Sequence, residues 1–442
     1  MNLDDAISFI CDSAAKSADA FDVIAGHSRS EGVSVFKGKV QNTEISESVG
    51  VGIRVFKNSH PGYAYTERFT EDALSQTVRD ALSHCAFTKE LPIELPRLQE
   101  LRKLAPHYSA EIEALGLPEM TAMCLDIEKA TLAASPEVEN VPYLGADKSE
   151  GRVIVANGNG LRYESHFNSA SAGVGAVALR EGIRKLGVCD RSGRDWSAFN
   201  AKKIADTAVS RARELLSPSK IQSGKIPVVF SNRVSGSIVS MYSSAFFAEQ
   251  VQKGQSRLQG LLGTAIATRG FSLVNDPFRE DLPGACAFDG EGVPAESVPL
   301  VKDGVLQSYL YNLETAAREG CKSNGAAARS YSGKVSTGFS NLVVLPGERT
   351  TEELLKLFPR CLYVVNLEGN SGCSAISGEL NIGAQGIWYE NGTPVHAAEG
   401  VTLSANFFDL LKLVAAVGSE YNDSYSSIKV PAFAVAEIAV SN

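Results

Sequence analysis

The chain has 442 residues, 44% hydrophobic and 21% charged, with 42 basic against 51 acidic side chains and a net charge of −9. That length exceeds one hydrophobic core and predicts two or three domains of a globular protein. The acidic balance and the lack of any Lys/Arg run argue against a nucleic-acid surface, and no apolar run approaches the ~18 residues of a membrane span.

The start, Met1-Asn2-Leu3-Asp4-Asp5, is acidic and opens a helix over residues 3–18, with Leu3, Ile7, Ile10, Cys11 and Ala14 on one face. It has no basic, apolar secretion signal, so a cytoplasmic location is expected. Alternating stretches then read as strands over 21–29, 32–36, 40–48, 51–56 and 62–66, turned by Lys37-Gly38-Lys39 and Lys57-Asn58-Ser59. Thr70 caps a helix with Glu71 and Asp72 in its first turn, running to about Ala86. Residues 1–90 thus form an N-terminal helix–antiparallel sheet–helix unit.

A linker over 91–118 is punctuated by Pro92, Pro96, Pro106 and Pro118. A helix over 119–134 opens a central α+β domain, 119–222. Its strands flank Asn157-Gly158-Asn159-Gly160, a hairpin signal, and continue through Ala170–Leu179. A helix over 198–216, stopped by Ser217-Pro218, closes it. Short strands and glycine turns make 223–442 a large mainly-β C-terminal domain. The fold class is therefore α+β.

The eight cysteines are scattered without a C-x-x-C pair, as for reduced, mostly buried thiols. The six histidines show no pair at helical ligand spacing, and no phosphate-cradling loop is present. Asp289 and Glu291 share a Gly-rich turn, where Asp is expected to take turn hydrogen bonds and Glu to be solvated. Residues 227–245 read as a strand, a turn and an inward-facing helix carrying Ser240, Met241 and Ala245.

Several segments together carry a resemblance. They are Glu44–Val55 with Gly62–Thr66, Ala287–Pro294 with Val301–Leu306, and Ser377-Gly378-Glu379 with Gly386–Gly392. In this order the chain resembles the TldD/PmbA, or modulator-of-DNA-gyrase, family over nearly its whole length. The resemblance implies a zinc-protease signature, H-E-x-x-x-H, on the 227–245 helix, with a third ligand, a cysteine, near the C-terminus. Here the signature positions hold Ser240, Met241 and Ala245, and Asn422–Pro431 has no cysteine. None of these is a zinc donor, so no metal or other cofactor and no catalytic residue is expected. That pattern resembles the PmbA/TldE-like branch. Such members imply a metal-free subunit paired with a TldD-like zinc protease, acting on extended, unfolded peptides in peptide maturation or degradation; a homodimer is the other possible assembly. Neither nucleic acid nor membrane is an expected partner.

Peptide-binding candidates are Gly369, Asn370, Ser371, Gly372, Cys373 and Ser374, with Gly378, where glycine-rich edges through Gly386 would accept a strand. Two alternatives stand beside this reading. One is a thiol hydrolase using Cys373 with His396 as base; the other is a non-enzymatic regulator of gyrase, from the family's older name.

Overall fold

The computed structural model describes residues 1–442, except for the side chain of residue 399. The N-terminal and central units share one sheet. Its strands are β1 (Ala20–Phe36), β2 (Lys39–Lys57), β3 (His60–Thr66), β4 (Val138–Asn157), β5 (Arg162–Arg180) and β6 (Ile183–Gly193). They lie in the order β3-β2-β1-β4-β5-β6, and every neighbouring pair is antiparallel. β1 and β2 are each continuous where the sequence reads as two pieces, because the exposed stretch through Ser30 and Ser46 stays paired even without apolar alternation.

Turn chemistry fixes the hairpins. Lys37 and Gly38 have φ of 51° and 72°, and Asn58 and Ser59 have 49° and 62°, the left-handed pairs that match strand twist. Asn157 closes the β4–β5 turn by accepting the Asn159 and Leu161 N–H groups on Oδ1.

Helices cover this sheet in two groups. α1 (Leu3–Ala14) and α2 (Glu71–His84) bury Ile7, Ile10, Leu74 and Val78 against Val23, Val51, Ile53 and Val55. Thr70 caps α2 by accepting the Ala73 N–H at 3.3 Å. α3 (Leu117–Ala134) and α4 (Ala201–Arg213) bury Met120, Ile127, Ile204 and Val209 against Val174 and Ala176. The segment between the two groups is a strap over the sheet. Leu91 and Leu95 are buried, and Asn157 and Asn159 donate to Pro96 and Leu95 carbonyls.

In the C-terminal unit, β7 (Gly224–Phe230), β8 (Arg360–Glu368), β9 (Glu379–Glu390), β10 (Thr393–Asn406) and β11 (Phe433–Ser441) pair in succession, and β11 pairs with both β7 and β10. The strands therefore close on themselves, leaving no open edge within the ring. A separate five-stranded sheet, ending in the strand Ile428–Lys429, packs beside it. Val228, Phe230, Leu362, Val364, Leu380 and Phe433 fill the shared core.

The N-terminal sheet is joined to the C-terminal unit by buried charge. Asp22 and Arg54 face each other across β1 and β2, and Arg54 Nε donates to both Asp22 oxygens at 3.2 and 3.0 Å. Arg329 reaches Asp22 at 2.7 Å, and Glu291 stands 2.8 Å from Arg54. Glu291 is thus fully buried, correcting the expectation of a solvated side chain. Desolvation keeps it paired: its other oxygen accepts the Leu313 N–H at 2.8 Å. Asp289 accepts three backbone N–H groups, from Glu291, Val293 and Ala327. The turn chemistry expected of it is present.

Candidate functional site

β7 runs into a turn at Ser231–Val234 and then into α5 (Ser235–Met241). Ile238 and Val239 enter the core, and the buried Ser235 hydroxyl donates to the Val430 carbonyl at 2.8 Å, tying the helix to the C-terminal segment. The α-helix ends at Tyr242 and a 3₁₀ turn follows over Ser243–Phe246. Tyr242 stacks on Phe407 with ring centroids 4.2 Å apart and donates its hydroxyl to the Glu379 carbonyl at 2.7 Å.

That break separates the three signature positions. Ser240 and Met241 line a cleft of about 680 Å³ between α5 and the central unit. Ala245 is buried in the core, 1% exposed, and its carbonyl accepts the Ser256 hydroxyl at 2.7 Å. The C-terminal stretch returns to the same cleft through Asn422, Asp423, Ser424, Ser426 and Ile428. Lys429 holds that loop: its ammonium donates to the Asn422 carbonyl at 2.9 Å and to the Ser424 carbonyl. Ser424 in turn donates to Asn422 Oδ1 at 2.7 Å.

The far wall was not foreseen from the sequence. It comes from β6, through Cys189, Asp190 and Arg191, and from α4, through Lys203, Ile204, Thr207 and Arg211. β6 is the last strand of its sheet, so one side of its backbone is unpaired by any strand. Burial raises the Cys189 thiol above its ordinary value, which keeps it protonated and a poor nucleophile at neutral pH.

The predicted peptide-binding residues are only partly gathered here. Asn370 lines the cleft. Gly369, with φ of 73°, starts the turn in which Cys373 N–H reaches the Asn370 carbonyl at 3.0 Å. Gly372 is required by contact: a Cβ there would lie 2.3 Å from the Asn381 carbonyl oxygen. Ser371 is exposed, and Gly378 is buried with φ of 77°.

The expectation of free strand edges from Gly378 to Gly386 is corrected. β9 pairs with β10 on one side and β8 on the other, and the loop itself covers the remainder through Ser374 N–H to Glu379 O and Asn381 N–H to Gly372 O. The Cys373–His396 pairing is corrected as well. Cys373 contacts Asn381 and sits beside Tyr242, whereas His396 pairs with Trp388, on the order of 20 Å further along β9. A base that far away cannot take the thiol proton.

A serine, a thioether and a core alanine do not form a zinc donor set. Among the described residues, no group of three His, Cys, Asp or Glu side chains is arranged to hold a metal ion. Nor does any helix among them have the length and apolarity to cross a membrane.

Residues 21–85, 110–216 and 223–442 match, respectively, PmbA/TldA metallopeptidase domain 1, the central domain and the C-terminal domain. Metalloprotease PmbA of Escherichia coli O157:H7 is 26% identical over 426 residues, covering 95% of this chain and 91% of its own length. A metalloprotease of Methanothermobacter thermautotrophicus is 25% identical, covering 90% of this chain and 88% of its own. A crystal structure from Thermotoga maritima, described as a modulator of a DNA gyrase, superposes with a TM-score of 0.91 at 26% identity over 100% of both chains. TldE from Thermococcus kodakarensis shares the fold, with a TM-score of 0.87 at 19% identity over 99% of this chain and 100% of its own. With all three domains matched in order, the chain belongs to the PmbA/TldD family.

Proposed function

We propose that this chain is a metal-free, PmbA/TldE-like subunit of a cytoplasmic two-component protease. In this reading a TldD-like partner supplies the zinc, and this chain helps to present unfolded peptide. One observation carries it: the cleft is kept, yet Ser240 and Met241 stand in it without a metal donor while Ala245 is core. A metal-bound water needs three protein ligands, and general-base chemistry needs a carboxylate where Met241 stands. The cleft's access to the outer side of β6 favours a peptide in extended form, since Cys189, Asp190 and Arg191 of that terminal strand line it. With domains taken as 1–90, 119–222 and 223–442 and a linker over 91–118, the residues lining the cleft belong to the second and third of them.

The test is metal content and peptidase activity of the isolated chain, repeated after mixing with a zinc-bearing family member from the same organism. The expected result is no stoichiometric zinc and no cleavage alone, with cleavage of an unfolded peptide on mixing and co-elution of the two chains. One tightly held zinc per chain in the isolated protein would overturn the proposal.

A further inference from the structure

The cleft is cationic in a protein whose net charge is −9. Arg191, Lys203, Arg211 and Arg233 line it, with Asp190 and Asp423 the lining carboxylates. Two of the cations are paired: Lys203 with Asp423 at 3.4 Å and Arg233 with Glu214 at 2.7 Å. In the adjoining hollow Asp206 is taken by Lys202 at 2.5 Å. Arg191 and Arg211 remain, with no carboxylate at ion-pair distance among the described residues.

Both guanidiniums are instead aimed by backbone carbonyls. Arg191 Nη1 donates to the Asp423 carbonyl at 3.0 Å, and Arg211 Nη1 donates to the Val188 carbonyl at 2.6 Å. Each is half-buried, and each keeps further N–H donors beyond the one used. Held in place by one bond and left with a free fork, they are pre-organised for an anion. Ser237, Ser240, Asn370 and Ser426 add neutral hydrogen-bonding groups to the same walls.

We propose that this cleft is a receptor for a peptide carboxylate, held by Arg191 and Arg211. The proposal rests on the reading above that extended peptide enters the cleft, and it adds the feature of the peptide that is recognised. Carboxylate geometry fits a guanidinium fork, and a peptide end brings its own backbone groups to the β6 edge. The carboxylate can belong to the chain terminus or to an acidic side chain. The experiment separates these sources.

A fluorescent eight-residue Gly/Ser peptide is titrated with the full chain in three forms: free C-terminus, amidated C-terminus, and amidated with one internal Asp. The free acid is expected to bind about tenfold or more tightly than the amide, the scale of a charge-assisted hydrogen bond, and to weaken as salt rises. If the Asp form binds as the free acid does, the side chain is also a ligand; if it binds as the amide does, the terminus alone is read. Arg191→Gln and Arg211→Gln should each remove most of the difference between acid and amide, and Arg211→Lys should restore part of it. Thermal unfolding of each variant separates lost recognition from lost fold. Equal binding of acid and amide would overturn carboxylate recognition while leaving peptide entry intact. Binding of no form would overturn both.

Discussion

Arg54 and Glu291 lie 2.8 Å apart with both side chains fully buried, one on β2 and the other in the Asp289–Gly292 turn of the C-terminal unit. The contact is Coulombic, since its angle is not that of a hydrogen bond. Asp22 and Arg329 complete the group. Two of the sequence segments that carry the family resemblance therefore meet at one point in space.

Removing one member of a buried ionic group leaves the others uncompensated, which typically costs about 3–5 kcal/mol. Arg54→Met is expected to destabilise the chain on that scale, because Glu291 loses its cation and Asp22 keeps only Arg329. Urea unfolding measures it, and a loss below about 1 kcal/mol would contradict the account.

Gly52 permits the same junction. A Cβ there would lie 2.0 Å from the Tyr331 carbonyl oxygen, which is backbone and has little freedom to move. Gly52→Ala should therefore cost about 1–3 kcal/mol as an overpacking change. Gly193→Ala, where a Cβ meets nothing within 4 Å, is the matched control and should be near neutral. Thermal melts of the two variants side by side decide the matter.

Acid should weaken the fold in a defined window. Hydrogen bonds from Arg180 and Arg213 hold Glu137 down to about 2. Burial pushes Asp22 up, but Arg329 and Arg54 outweigh it and hold the carboxyl below its ordinary range. A carboxylate with a depressed folded pKa contributes stability above its unfolded value, roughly 4, and loses it as pH falls through the folded value. Stability should thus decline from about pH 4.5 downward. Glu137→Gln should flatten the part between about pH 4.5 and 2, as read by denaturant midpoints at successive pH values.

Restoring the signature residues should not restore a metal centre. In Ser240→His/Met241→Glu/Ala245→His, the third substitution falls in the core beyond the Tyr242 break, and the 422–428 loop supplies no thiolate. Elemental analysis of the purified triple variant is expected to find less than one zinc per chain. Stoichiometric zinc would show that positions 240 and 245 converge after all.

Much of the fold was legible because its signals are local. Lys37-Gly38, Asn58-Ser59 and Asn157–Gly160 carry turn chemistry, and Thr70 carries a cap, so hairpins and helix starts could be read directly. Strand continuity could not. Through Ser30 and Ser46 the sheet is exposed, and no buried face imposes alternation there. The site was harder. Ser240 and Met241 were found through the resemblance, but Arg191, Lys203, Arg211 and Arg233 converge only in three dimensions and form no run. Cys373 and His396 illustrate the opposite error, two reactive residue types that the β9–β10 register holds apart. Glu291 looked solvated because nothing in a Gly-rich turn announces an arginine arriving from β2.

The strand order β3-β2-β1-β4-β5-β6 has a consequence for biosynthesis. The first three strands emerge from the ribosome together, but the neighbour that β1 needs begins only at Val138. Until then Asp22–Ser34, the stretch of β1 that β4 pairs, displays an unsatisfied ladder, the kind of template that recruits other nascent chains. The charges of that hairpin, the half-buried Arg29 and Glu31 on β1 and the exposed Glu44 and Glu47 on β2, are thus well placed to keep the waiting edge from joining a stranger.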